Sequence, residues 1–320
     1  MIGGGYSVTD YRNPTLAKPR LLITGGSGLL ALNWFAAARD NYDVVLAFHE
    51  RTPDLPGAMT CNLALDSMGQ LLEALDVYAP EFVVHAAGCT SVEGCEKAPD
   101  VAHHVNVVLA ANVAAACKAR GVPLVHISTD HLFAGHEAMV SEEAPVAPLN
   151  IYGKTKAEAE LRVAEACPEA LVVRTNFYGW GTSYRRSFSD VIVDALREKR
   201  PITLFDDVHY TPILAECLVD IVHGLVARKA SGVFNVVGSE RLTKHRFGLL
   251  VAEAFGLDAA PIRRGALADL PDLVKRPRDM SLSNRKVSAF LGRDPGSVSE
   301  HLHRLSLQAQ RGLALELGKL

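Results

Sequence analysis

The 320-residue chain has few aromatic residues, 7%, and no apolar stretch near the about 20 residues that a membrane-spanning helix needs. Residues 1–19 are glycine-rich and polar and contain no apolar core of a secretory signal. We expect this segment to be a flexible tail. We therefore expect a cytoplasmic protein with no membrane partner.

The chain also has no large excess of either charge, because it contains 33 basic and 36 acidic residues. This near balance gives no electrostatic footprint for nucleic acid, so we expect no nucleic-acid partner. The six cysteines are scattered and are typical of reduced thiols. Cys89, Cys95, His103 and His104 lie close in sequence, but their spacing matches no zinc pattern. We predict no metal site.

The first half of the chain alternates short apolar runs with helical patterns. A run at 20–24 leads into a glycine-rich turn, a helical pattern at 29–38 and a second run at 44–48. The alternation continues with strand patterns at 82–87, 124–128 and 171–174 and helical patterns at 71–78, 100–120 and 154–167. Continuous apolar strands are typical of a sheet that helices cover on both faces. The pattern predicts an α/β fold, a Rossmann doubly wound parallel sheet.

The regular alternation of strand and helix patterns ends after residue 175. Residues 180–188 are polar and basic, and residues 257–295 have the composition of loops with short elements. Strand patterns lie at 201–204 and 233–237, helical patterns lie at 214–226 and 243–255, and a capping box at residues 297–300 opens a last helix. We predict an NAD(P)-binding Rossmann domain at 20–175. Residues 176–320 would form a smaller, mainly substrate-binding part, with some segments returning to the Rossmann domain.

The turn after the first strand carries the pattern Gly25-x-x-Gly28-x-x-Ala31. The first glycine permits a tight turn, the second lets the backbone approach a pyrophosphate, and the third position packs helix on strand. The following helix offers free N–H groups to phosphates. We predict that the cofactor contacts the residues of this turn and the first helical turn: Gly25, Ser27, Gly28, Leu29 and Leu30.

The end of the second strand bears on the choice of cofactor. An acidic residue there would bind the adenine ribose, whereas a nearby arginine would accept a 2′-phosphate. The chain has His49, Glu50 and Arg51 at this place. Arg51 favours NADP, and Glu50 leaves NAD open.

Two further motifs place reactive side chains on the same fold. Tyr152 and Lys156 lie four residues apart, so they share one face of a helix. A neighbouring ammonium favours the phenolate of a tyrosine that exchanges protons with a substrate. Ser128, Thr129 and Asp130 follow a strand, where a hydroxyl can hold a carbonyl oxygen.

The combined motifs resemble the extended short-chain dehydrogenase/reductases. Within them the chain is most similar to the dTDP-4-dehydrorhamnose reductase family and its relative, the regulatory beta subunit of methionine adenosyltransferase. The similarity rests on HISTDHLFAG at 126–135, PLNIYGKTK at 148–156, VRTNFYG at 173–179 and the late pair Arg276-Pro277.

The resemblance implies roles for individual residues. The catalytic trio would be Thr129, Tyr152 and Lys156. Beyond the glycine turn, the cofactor would contact His49, Arg51, Asn62, Leu63, Ala86, Ala87, Gly88, Asn106, Ser128, Tyr152 and Lys156. The substrate would contact Thr90, Asp130, His131, Asn176, Phe177, Tyr178, Trp180, His209 and Arg276. The family usually has tyrosine at the place of His131, which leaves open whether His131 is a site residue or a buried strand-end residue.

The resemblance implies NAD(P)H-dependent reduction of a nucleotide-linked 4-keto-6-deoxy sugar, with Tyr152 as proton donor. Two alternatives remain open. One is a nucleotide-sugar epimerase or dehydratase with bound NAD, and the other is a non-catalytic NADP-binding regulatory subunit. A homodimer is also left open, as are the nucleotide, the sugar and the product stereochemistry.

Overall fold

The computed structural model describes residues 18–49 and 55–320. The predicted tail, apart from Lys18 and Pro19, lies outside the described residues, as do Glu50 and Arg51. The strands are β1 (Arg20–Thr24), β2 (Asp43–Phe48), β3 (Met59–Asn62), β4 (Phe82–His85), β5 (Leu124–Ile127), β6 (Leu171–Arg174), β7 (Phe177–Tyr178), β8 (Ile202–Phe205), β9 (His209–Tyr210), β10 (Ile213–Leu214), β11 (Gly232–Asn235), β12 (Leu242–Thr243) and β13 (Ile262–Gly265).

Twelve α-helices lie between or after these strands in the described residues. They are α1 (Leu29–Ala38), α2 (Met68–Tyr78), α3 (Val92–Lys97), α4 (Pro99–His103), α5 (Leu109–Arg120), α6 (Ile151–Ala166), α7 (Phe188–Arg197), α8 (Ala215–Ala227), α9 (Lys244–Phe255), α10 (Arg285–Leu291), α11 (Val298–Gln310) and α12 (Leu313–Gly318). None of the helices in the described part is long and apolar enough to cross a membrane.

Seven parallel strands form the main sheet in the order β11-β6-β5-β4-β1-β2-β3. This order reverses direction beside β1, which gives the doubly wound topology. The predicted α/β fold is confirmed. β3 escaped prediction because three of its four side chains are exposed, so it has no apolar run.

Alternate residues of the strands enter two apolar layers, one on each face of the sheet. In β1, Leu21 and Ile23 pack in the layer that contains Trp34 of α1. Leu22 packs in the opposite layer, with Val113 of α5. Burial of both faces explains the continuous apolar runs.

The predicted helix over 100–120 is interrupted. A π-helical turn, His104–Val108, lies between α4 and α5 and carries the buried Asn106. Such turns insert an extra residue into the helical ladder and often lie at functional sites.

The chain after β6 forms shorter pairings. β7 pairs with β10, β9 with β12 and β8 with β13, while β11 joins the edge of the main sheet beside β6. The division into a cofactor part and a substrate part stays a prediction.

Candidate active site

The glycine turn lies at the carboxyl end of β1, against the loop that follows β4. Gly25 has φ +73°, and a Cβ there would lie 2.7 Å from the Ala87 Cα and N atoms. The Gly28 N–H donates to the Gly25 oxygen at 2.8 Å, and Gly28 precedes α1 without a side-chain cap. The turn therefore excludes side chains and presents the amino end of α1 to an anion.

Two cavities flank this turn. The first has a volume of about 510 Å³ and contains the predicted catalytic residues, and the second, about 540 Å³, extends toward the end of β2. Both are lined by Gly25, Ser27, Gly28, Ala87 and Arg185. An elongated ligand that crosses the turn can occupy both cavities, which is the arrangement that a dinucleotide requires.

Most of the predicted site residues line these two cavities. The first cavity adds Leu29, Leu30, Ala86, Gly88, Thr90, Asn106, Ser128, Thr129, Asp130, His131, Tyr152, Lys156, Asn176 and Phe177. The second adds His49 and Leu63. Residues distant in sequence are thus brought to one edge of the sheet, while Arg51 lies outside the described residues.

Tyr152 stands in the first turn of α6, which begins because the Asn150 side chain accepts the Gly153 N–H at 2.9 Å. The phenol is 9% exposed. Burial raises the pKa of Tyr152 above its usual value, and a hydrogen bond with Thr129 acts in the opposite direction. Tyr152 is therefore protonated at neutral pH and can donate a proton.

Lys156 lies one turn further along α6. Its Nζ donates to the Ile127 oxygen at 2.7 Å and lies 3.5 Å from Nε2 of His126. Burial lowers the pKa of Lys156 to about 8, although the Glu160 carboxylate favours the charged form. Lys156 is thus a cation at neutral pH that loses its charge under mildly alkaline conditions.

A buried pair of stacked histidines, His85 and His126, lies next to Lys156. His126 stacks on His85 with ring centroids 5.4 Å apart, and His85 Nδ1 lies 2.8 Å from Thr24 Oγ1. Burial lowers the pKa of His85 to about 3 and also lowers the pKa of His126. Both rings are therefore neutral, and His126 can face the Lys156 ammonium without repelling it.

Asn106 connects three parts of the site. Its side chain accepts the Cys89 N–H at 2.8 Å and donates to the Cys89 oxygen at 3.1 Å and to Thr155 Oγ1 at 3.0 Å. The π-helical turn thus holds the loop after β4 against α6. Asn106 supports the backbone around Tyr152 as well as lining the cavity.

Ser128 and Asp130 both engage other protein groups. Ser128 Oγ donates to Glu160 Oε1 at 2.6 Å, and Glu160 is paired with Arg174 at 2.7 Å inside the protein. Asp130 Oδ2 accepts from the Asn176 side chain at 2.5 Å. These contacts fix the end of β5, so that Thr129 faces Tyr152.

His131 lies on the wall of the first cavity, and its ring forms a T-shaped pair with Tyr152, with 5.4 Å between ring centroids. Its Nδ1 is buried and has no hydrogen-bond partner among the described residues. Burial lowers the pKa of His131, whereas the Asp130 carboxylate raises it. The structure therefore puts a neutral, partnerless imidazole nitrogen beside the proposed proton donor.

Five predicted contacts do not line either cavity. Tyr178 and Trp180 are 2% and 4% exposed and pack in the core, because alternation along β7 turns Phe177 to the cavity and Tyr178 away from it. Asn62 is exposed at the end of β3, and His209 pairs with Thr243 between β9 and β12. Arg276 forms an ion pair with Glu93 and lines a separate cavity.

Part of the wall consists of residues that the sequence motifs did not indicate. The first cavity is also lined by Thr175, Arg185, Arg186, Ser187 and Phe188, and the second by Leu65, Asp66, His104, Val105, Leu109, Tyr184 and Arg185. The polar and basic composition of 180–188 was the available signal. This composition indicated a loop, but it did not indicate that the loop would line the two cavities.

Comparison with known proteins identifies the family. The model of the RmlD substrate binding domain family matches residues 19–310. The chain belongs to this family. The family predicted from the sequence motifs is therefore confirmed.

The similar proteins include a probable reductase and a subunit of a methionine adenosyltransferase. The chain is 30% identical over 288 residues to a probable low-salt glycan biosynthesis reductase of Haloferax volcanii, covering 88% of this chain and 96% of that protein. It is 29% identical over 281 residues to the methionine adenosyltransferase 2 subunit beta of Pongo abelii, covering 85% and 82%. The fold matches dTDP-4-dehydrorhamnose reductase from Bacillus anthracis in complex with NADP, with a TM-score of 0.80, 24% identity, and coverage of 91% of this chain and 99% of that one.

Proposed function

We propose that this protein is an NAD(P)H-dependent reductase of a nucleotide-linked 4-keto-6-deoxy sugar. The observation that carries the proposal is that Thr129, Tyr152 and Lys156 line one cavity with the glycine turn. This juxtaposition puts a proton donor next to the predicted cofactor site. Relatives described as reductases support the reaction class.

The residues around the turn fit a dinucleotide. The closeness of Gly25 to Ala87 leaves no room for a Cβ, and the amino end of α1 has no side-chain cap. A reduced nicotinamide, when bound, supplies hydride. We propose NADP as the cofactor, supported by the NADP complex of the Bacillus anthracis reductase, with NAD as the alternative.

Each member of the trio has a separate task. The Thr129 hydroxyl holds the substrate carbonyl oxygen, and Tyr152 donates its proton to that oxygen as negative charge develops. The Lys156 ammonium stabilises the resulting phenolate. The Lys156 bond to the Ile127 oxygen keeps its Nζ in place.

The experiment compares wild type with Tyr152→Phe and Lys156→Ala, using NADPH and dTDP-4-keto-6-deoxy sugars. Loss of the proton donor is expected to lower kcat by about 10²–10⁴-fold. Equal turnover by wild type and Tyr152→Phe would rule out this mechanism.

The similarity to the methionine adenosyltransferase beta subunit supports a second candidate, a regulatory subunit that binds the cofactor without turnover. Purification from the native host distinguishes the two. A stable complex with another protein, together with no activity on any keto sugar, would favour the regulatory function.

A further inference from the structure

We name residues 181–187 the clasp loop. One buried carboxylate, that of Asp190, accepts hydrogen bonds from both ends of this loop. Asp190 is 2% exposed, and its Oδ2 accepts the N–H groups of Gly181 at 2.7 Å and Ser187 at 2.8 Å. Within the loop, the Thr182 N–H donates to the Arg185 oxygen at 2.9 Å, and the Arg185 N–H donates to Thr182 Oγ1 at 3.0 Å. The clasp loop therefore has a defined shape without belonging to a helix or strand.

The tip of the clasp loop spans the glycine turn. Tyr184 Oη donates to the Ser27 oxygen at 2.9 Å, and the Arg185 guanidinium donates to Thr90 Oγ1. Ser27 belongs to the turn after β1, whereas Thr90 belongs to the loop after β4. The clasp loop thus connects two sides of the cleft in which the cofactor is proposed to bind.

Arg185 lies where the two cavities meet. Of the five described residues that line both cavities, Arg185 is the charged one. A dinucleotide that fills both cavities has its pyrophosphate at this junction, opposite the amino end of α1. Its neighbour Arg186 differs, because Arg186 is paired with Asp194 of α7.

We propose that Arg185 binds the pyrophosphate of the dinucleotide and that the clasp loop closes over the cofactor. A guanidinium has five donors and matches phosphate oxygens with two parallel hydrogen bonds, whereas the Thr90 hydroxyl occupies only part of this capacity. The inference rests on the proposed cofactor function and is independent of the sugar substrate. Because Tyr184 bonds to the turn itself, cofactor release also requires that contact to open.

The test measures affinity and dissociation rate for NADPH in wild type, Arg185→Gln and Tyr184→Phe. Adenosine 2′-monophosphate, which has no pyrophosphate, is titrated in parallel. Arg162→Gln is the matched control, because Arg162 is an exposed arginine of α6 paired with Glu165. Thermal unfolding of each variant checks that it is folded.

We expect Arg185→Gln to weaken NADPH binding about tenfold or more, the scale of one lost charge-assisted hydrogen bond, with adenosine 2′-monophosphate changed by less than about twofold. Tyr184→Phe is expected to speed NADPH dissociation, and Arg162→Gln to match wild type. The wild-type affinity for NADPH should also fall more steeply with salt than that of Arg185→Gln.

Two results would overturn the proposal for Arg185 and the clasp loop. The first is equal NADPH affinity in wild type and Arg185→Gln, and the second is an equal loss of NADPH and adenosine 2′-monophosphate binding. Either leaves the proposed cofactor function intact, provided that wild type binds NADPH. Failure of the wild type to bind NADPH or NADH would overturn both proposals.

Discussion

The two sides of the first cavity are built differently. One side comes from strand–helix junctions, where β1, β4 and β5 end and α1 and α6 begin. The other comes from irregular segments after Arg174, held by contacts such as those of Asp190. Tyr152 and Lys156 of the proposed catalytic trio are thus positioned by a regular helix, whereas Thr129 and the cover of the site depend on individual side-chain hydrogen bonds.

The largest expected effect concerns the regular side. Arg174 and Glu160 form a buried pair, 4% and 7% exposed, that also receives the Ser128 hydroxyl. Arg174→Leu would leave the Glu160 charge buried and unpaired, so we expect the free energy of unfolding to fall by about 3–5 kcal/mol. Denaturant unfolding measures it.

A matched control for that variant is the exposed pair between Arg120 and Asp76. Arg120→Leu is expected to leave stability nearly unchanged, because exposed pairs contribute little. If both variants lost the same stability, the buried pair would not be what holds the end of β5.

Gly25→Ala should come next in size. The added Cβ meets the Ala87 backbone at 2.7 Å, so we expect NADPH affinity to fall at least about tenfold. Gly121→Ala is the control, because Gly121 has a similar φ of +64° but open space around it. The control should lose about 1 kcal/mol of stability and keep its NADPH affinity. A similar loss of NADPH affinity in both variants would contradict the steric argument.

A smaller effect is expected in the irregular segments after Arg174. Trp180 packs in the core against Phe255, with ring centroids 6.0 Å apart. Trp180→Phe should lower the free energy of unfolding by about 1–2 kcal/mol and leave KM for the sugar unchanged. Phe177→Leu, on the cavity wall, should change KM instead. A KM change from Trp180→Phe alone would extend the substrate site into what the structure shows as core.

The smallest expected change is in the pH profile. Lys156 has a pKa of about 8, so its ammonium is present below that pH and is lost as pH rises through it. We expect kcat to fall above about pH 8, and Lys156→Arg to move this limb to higher pH because a guanidinium keeps its charge. Burial also lowers the pKa of Lys244 to about 8, so Lys244→Gln is the control. If Lys244→Gln removed the limb and Lys156→Arg did not, the assignment to Lys156 would be wrong.

The sequence predicts the side of the cavity that is built from strand–helix junctions better than the side that is built from irregular segments. The patterns predicted β1 and β6 with their observed bounds, and the glycine turn and Tyr152–Lys156 pair were found because strand, turn and helix signals are local. β7, β9, β10 and β12 have two residues each, too few for a periodic signal. Which way Tyr178 points, and that Tyr184 reaches the glycine turn while Arg185 lines both cavities, depend on tertiary contacts that no local pattern contains.

The proposed reductase function is tested most directly by the stoichiometry of the reaction. Purified protein is mixed with NADPH and a dTDP-4-keto-6-deoxy sugar, and NADPH oxidation and sugar product are measured in the same samples. We expect one NADPH to be oxidised for each sugar reduced, and Tyr152→Phe to be slower by at least about 100-fold. Sugar conversion without net NADPH oxidation would contradict the proposed function.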